Sequence, residues 1–166
     1  MHTIIKKISG LLLVTILLSS CEKKEGPLSD LKPAIPVTVQ NAFDFRPEPT
    51  VTTSLSGSGA IQIILSIPAS SGRTIKEITK VASKTTYSQI QSTGTTGFYN
   101  SAPIPGSGTT ATFTTSLTEY FTKNPVSASN LAAAPNKELS FRFYFLLTLD
   151  DGSVIVTEAV RVLVLS

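Results

Sequence analysis

One thiol, Cys21, and one imidazole, His2, are the only side chains of their kind in 166 residues, and both fall within the first 21 positions. Cys21 follows Leu18-Ser19-Ser20 and an apolar run from Ile8 to Leu18, which Lys6 and Lys7 precede. A basic start, an apolar stretch and small residues before a cut are the three parts of a secretory signal. The run is about half the roughly 20 apolar residues that a helix needs to cross a hydrocarbon core, and Glu22-Lys23-Lys24-Glu25 closes it. Residues 1–20 are therefore expected to be removed, and His2 with them. A chain without imidazole or free thiol cannot run Ser-His-Asp hydrolysis, use a cysteine nucleophile, or hold a metal through histidine or thiolate. No metal and no cofactor is expected. Carboxylates, lysines and tyrosines remain for acid–base work, but the eight acidic residues from Asp44 to Glu158 are scattered without a pairing signal. A carboxylate pair of the glycosidase type is thus the alternative reading, and a non-catalytic protein the leading one.

The tetrad Leu18-Ser19-Ser20-Cys21 resembles the lipobox of bacterial lipoproteins. The resemblance implies a diacylglyceryl group on the Cys21 thiol, cleavage just before it, and acylation of the new amine. The partner so implied is a membrane, and the location the cell envelope, anchored to the outer membrane. Each buried methylene is worth about 0.8 kcal/mol, so a single chain binds marginally while two or three hold firmly. An acylated Cys21 leaves no thiol for a disulfide.

Removing the signal also changes the charge argument. Of 14 Lys and Arg, Lys6 and Lys7 leave, so 12 face 11 acidic residues and the exported part is nearly neutral. Phosphate binding needs a concentrated basic face, and no nucleic-acid partner is expected. Residues 21–36 are charged and interrupted by Pro27 and Pro33, a composition that suits an extended tether. Residues 37–166 are long enough to bury one core without disulfides.

Short strands dominate that domain. Val37 to Phe43 alternates, Thr50 to Leu55 is rich in Thr and Val, and Ala60 to Ile67 is a fuller apolar run ended by Pro68. Arg73 to Lys84 is two-sided: Ile75, Ile78 and Val81 recur every third residue as on a helix, while Thr74, Thr79 and Ser83 favour a strand, which is the assignment preferred. Thr85 to Thr110 is broken by glycines and prolines, and Thr109 to Thr115 resumes as a strand. Ser116-Leu117-Thr118-Glu119 reads as a capping box that starts one or two helical turns and stops before Pro125; Asn124 to Lys137 reads as a loop.

Leu139 to Leu149 and Val154 to Leu165 read as a hairpin through Asp150-Asp151-Gly152. A three-residue loop with Gly152 left-handed sets Tyr144 against Glu158, Phe143 against Ala159 and Leu147 against Ile155. A two-residue loop would instead face Arg142 with Arg161, so the first register is preferred. It puts Phe141, Phe143, Phe145 and Leu147 on one face with Ile155 and Leu163.

About seven short strands and one short helix give an all-β chain, expected to be an immunoglobulin-like β-sandwich. With its Lys-Lys start, lipobox, spacer and Phe-rich closing hairpin, the chain resembles small immunoglobulin-like envelope lipoproteins of Bacteroidota, some of which accompany polysaccharide uptake. The expected function is a non-catalytic, lipid-anchored module that binds another envelope protein or a glycan. If a sugar site exists, Phe98, Tyr99 and Asn100 on a glycine-framed loop are the candidates: aromatic rings stack on a pyranose and the amide bonds its hydroxyls. Against this stands a plain packing role, with Phe98 in the core and Tyr99 capping its edge.

Overall fold

A computed structural model describes residues 34–94, 96–125 and 136–166. The signal, Cys21 and most of the tether lie outside the described residues, as do residues 126–135 of the 124–137 loop. Ten strands occur among the described residues: β1 (Thr38–Val39), β2 (Thr50–Ser54), β3 (Ala60–Ser66), β4 (Ile75–Lys84), β5 (Ile104–Pro105), β6 (Thr110–Ser116), β7 (Lys137–Glu138), β8 (Arg142–Leu149), β9 (Val154–Val156) and β10 (Arg161–Leu165). Seven are longer than two residues, and one helix, α1 (Leu117–Lys123), follows β6. The all-β expectation holds. The strands form three sheets in the orders β1-β3-β6, β2-β10-β7 and β5-β4-β8-β9.

Alternation sets which side chains these sheets share. Ile61, Ile63 and Leu65 of β3 and Ala111 and Phe113 of β6 point into one apolar core, where they meet Ile78 and Val81 of β4, Phe143, Phe145 and Leu147 of β8, and Val162 and Val164 of β10. Phe113 packs at 5.7 Å from Phe143 and 5.6 Å from Phe145, ring centre to ring centre, which joins two sheets through their aromatic residues. Ile35 and Val37 lie against the same core, so the folded part begins slightly ahead of Val37.

The third-residue spacing in β4 has a local cause. Two register irregularities against β8, between Ile75 and Glu77 and between Ile78 and Lys80, each insert one extra residue. A bulge shifts the parity of everything after it. Ile75, Ile78 and Val81 therefore all face inward from a strand.

The closing hairpin uses the three-residue loop. The Leu149 amide donates to Ser153 O at 2.9 Å, Gly152 adopts φ +83°, and Leu147 stands opposite Ile155. Farther from the turn the expected register needs correction: Phe143 faces Val160, not Ala159. The Phe145 amide donates to the Thr157 side-chain Oγ1 at 3.2 Å instead of a backbone carbonyl, and one extra residue is taken up at Glu158-Ala159. Beyond that point the strand leaves β8. β10 runs parallel to β2, with Arg161 opposite Thr50 and Leu165 opposite Ser54. The parity change buries Val162 and Val164 and leaves Leu163 out of the core, contrary to the expected face. Val37 to Phe43 is also shorter than expected: only Thr38–Val39 pairs, and Phe43 is 74% exposed.

Capping follows the sequence in one of its two halves. Ser116 Oγ accepts from the Glu119 amide at 3.1 Å, while the Glu119 carboxylate accepts from Thr115 Oγ1 at 2.7 Å. α1 ends at Lys123, ahead of Pro125, and the fully buried Tyr120 accepts from the Phe141 amide at 2.9 Å, which ties the helix to the approach of β8.

The hairpin turn is fastened to the β3–β4 connection. Asp150 Oδ1 accepts from the Thr74 amide at 3.1 Å and lies 3.1 Å from Arg73 Nε, and Arg73 also reaches Asp151 at 2.7 Å. The Thr74 amide first, then Arg73, hold the Asp150 carboxyl below the ordinary aspartate range. A depressed folded pKa contributes stability above the unfolded value of about 3.9 and loses it as pH falls through the folded value. The urea midpoint should therefore fall between pH 5 and acid conditions by less in Asp150→Asn than in the unsubstituted protein. Equal falls in both would show that this aspartate carries none of the acid dependence.

Candidate functional site

Phe98, Tyr99 and Asn100 enter the structure as three separate packing elements. Phe98 and Tyr99 are neighbours in irregular chain outside any strand, and they join different apolar clusters. Phe98 joins a second apolar cluster with Ala82, Ile90, Tyr144 and Ala159 on the outer face of the β4–β8 sheet, with the Lys80 ammonium 4.9 Å above its ring. Tyr99 packs on the main core, edge-on to Phe113 at 5.9 Å and to Phe143 at 5.2 Å. Its hydroxyl accepts from Asn124 Nδ2 at 3.1 Å, and burial pushes its pKa up. Asn100 serves the backbone of β4: Oδ1 accepts from the Val81 amide at 2.8 Å and Nδ2 donates to Thr79 O and Ala102 O, both at 3.0 Å. The two rings therefore do not share one surface. Phe98 and Asn100 do border a small hollow of about 120 Å³ beside Lys80 and Pro103.

A wider cleft, about 340 Å³, opens elsewhere on that outer face. Four segments distant in sequence line it. Tyr144 comes from β8, where even-numbered residues face away from the main core. Thr157, Glu158 and Ala159 come from the irregular step between β9 and β10, and Pro47 and Glu48 from the connection before β2. Tyr87, 53% exposed, comes from a single 3₁₀ turn, Tyr87–Gln89, in the irregular 85–103 stretch. That stretch covers the sheet because Ile90 and Phe98 anchor it in the outer cluster.

The electrostatics of the cleft are set by three groups. Glu48 is held at 2.6 Å by Arg142 Nε, whereas Glu158 is exposed with no ion pair assigned to it among the described residues. Tyr144 donates to Thr85 O at 3.4 Å, and burial raises its pKa above the ordinary tyrosine value. The approach to Pro47 is ordered by Asp44, whose Oδ1 accepts from the Phe45 and Arg46 amides at 2.7 and 3.2 Å and whose carboxyl these bonds hold low. This turn displays Phe45, 58% exposed, next to the cleft-lining residues in sequence. Among the described residues no three His, Cys, Asp or Glu side chains come together as a metal site would require.

The hairpin register brought Tyr144 and Glu158 together in sequence reasoning, and both line this cleft. Tyr87, Glu48 and Pro47 carry no comparable signal, since only tertiary packing brings them near β8. Comparison of the chain with protein-family models, with curated proteins and with solved structures finds no match.

Proposed function

We propose that this chain is a lipid-anchored envelope module of immunoglobulin-like type that binds a partner without transforming it, and that the cleft between Tyr87 and Tyr144 receives a glycan. The observation that carries the reading is an exposed tyrosine, Tyr87, and a carboxylate, Glu158, in one cleft beside the buried Tyr144: the Tyr87 ring stacks on the apolar face of a sugar, and Glu158 accepts from its hydroxyls. Support for the immunoglobulin-like assignment comes from the strand pairs β3–β6 and β4–β8–β9, which match the B–E and C–F–G neighbours of that architecture. The anchor rests on the lipobox alone.

One observation favours a second reading. Glu48 and Glu158 share the cleft, and a carboxylate pair is the minimum equipment of a glycoside hydrolase. The ion pair with Arg142 already engages Glu48, which is why binding is preferred.

Calorimetry of the full chain against envelope polysaccharide fragments tests both. Tyr87→Ala should weaken binding about tenfold, the scale of one aromatic contact, and Glu158→Gln should weaken it with no change in the sugar recovered. Release of new reducing ends by the unsubstituted protein, abolished in Glu158→Gln, would replace binding with hydrolysis. Unchanged affinity in Tyr87→Ala would remove the cleft from consideration. For the anchor, Cys21→Ser should lose metabolic palmitate label and detergent partitioning; a variant that still labels would refute the lipid attachment.

A further inference from the structure

Sheet edges offer unpaired amides and carbonyls to other chains, and proteins blunt them with short strands, charge or proline. Most edges here are blunt: β1, β5 and β7 have two residues each, and β9 has three. β6 has seven, Thr110-Ala111-Thr112-Phe113-Thr114-Thr115-Ser116, with neither charge nor proline. Among the described residues it pairs only with β3, on one side.

The hydrogen bonds show which groups face the open side. Ile67 N donates to Thr109 O at 3.0 Å and Leu117 N to Gly59 O at 2.8 Å, so odd-numbered residues of β6 carry the ladder to β3. On β3 the even positions turn the other way: Ile64 exchanges bonds with Gln40 and Asn41 on the β1 side. By the same alternation the amides and carbonyls of Thr112 and Thr114 point outward, as those of Thr110 do where they meet Ser107. No backbone partner is assigned to Thr112 or Thr114 among the described residues, and both side chains are exposed.

We propose that this edge pairs with the same edge of a second copy, forming a two-fold dimer in which β6 lies antiparallel to its counterpart. A two-fold axis at Phe113 sets each Thr112 opposite the other chain's Thr114, and both are hydrogen-bonding positions of the free edge. The open positions on either side of Phe113 match, Thr112 with Thr114, so the free part of the strand is complementary to itself, while Thr110 is already engaged by Ser107. The absence of charge matters most for self-pairing, because any charged residue close to the axis would meet its own copy. Threonine across from threonine is a favourable strand pair. The dimer leaves the Tyr87–Tyr144 cleft on a different sheet.

The test is light scattering on the full chain in mild detergent, with protein and detergent mass resolved. The expected mass is twice that of one chain. Thr112→Pro removes an outward amide and no β3–β6 ladder bond, so it should halve the mass while the β-sheet circular dichroism persists; Thr114→Lys should do the same by charge repulsion. Oxidation of Thr112→Cys/Thr114→Cys should give a reducible dimer, because hydrogen-bonded antiparallel pairs have Cα atoms about 5.5 Å apart, within disulfide reach. Thr112→Cys alone should not. A single-chain mass for the unsubstituted protein at every concentration, a twofold mass retained in both Thr112→Pro and Thr114→Lys, or crosslinking of the double-cysteine variant to a protein of different mass would each overturn the proposal.

Discussion

Phe143→Ala is expected to lower the stability of the domain by about 3–5 kcal/mol, the usual cost of deleting a buried phenyl ring. Phe143 has no exposed surface and stands where three elements meet: Tyr99 at 5.2 Å, Phe113 at 5.7 Å and Tyr120 at 6.0 Å. Removing it leaves a void between sheets that close-packed neighbours fill only in part, so lost contacts add to lost transfer free energy. With domain stabilities of about 5–15 kcal/mol, the variant should unfold at a much lower urea midpoint. A wild-type midpoint would mean that the β8 face assigned to the core is not the core.

Gly106→Ala should be nearly as costly, for the opposite reason. Gly106 follows β5 and donates from its amide to Lys76 O at 2.9 Å, which draws the two backbones together. A Cβ there would lie 2.0 Å from Ile75 O and 2.8 Å from the Ile75 carbonyl carbon. Neither atom belongs to a side chain that can swing away, so the strand itself must move, at the upper end of the roughly 1–3 kcal/mol typical of overpacking. Gly57→Ala is the control. Its Cβ would meet Ser54 at an ordinary 3.6 Å, and the change should stay within about 0.5 kcal/mol. Equal urea midpoints for the two variants would contradict the close approach.

What was legible in the sequence was whatever local periodicity and turn chemistry determine. The Asp150-Asp151-Gly152 loop, the Ser116 cap and the runs that became β2, β3, β4 and β6 needed no knowledge of their neighbours. The departures begin where a strand answers to two sheets. Nothing local in Val154 to Leu165 says that its second half leaves β8 for β2, and the extra residue at Glu158-Ala159 that makes the switch is visible only as a hydrogen bond diverted to a side chain. The repeat of Ile75, Ile78 and Val81 was ambiguous because bulges imitate a helical period. The candidate site was harder still. Phe98-Tyr99-Asn100 are neighbours in sequence, but Phe98 and Tyr99 pack into different clusters, and the residues that do share a cleft are separated by as many as 112 positions, from Pro47 to Ala159.

The parallel pairing of β2 with β10 also decides how the domain bears tension. β2 is the first strand of more than two residues and β10 the last, and they run in the same direction over five matched residues. Pulling the two ends of the folded part in opposite directions slides one strand along the other. The rungs between them are then loaded together in shear, as in a lap joint, whereas an antiparallel terminal hairpin would open one rung at a time. A module held at one end and tugged at the other should therefore yield abruptly at high force, with this pair as the element that sets the threshold.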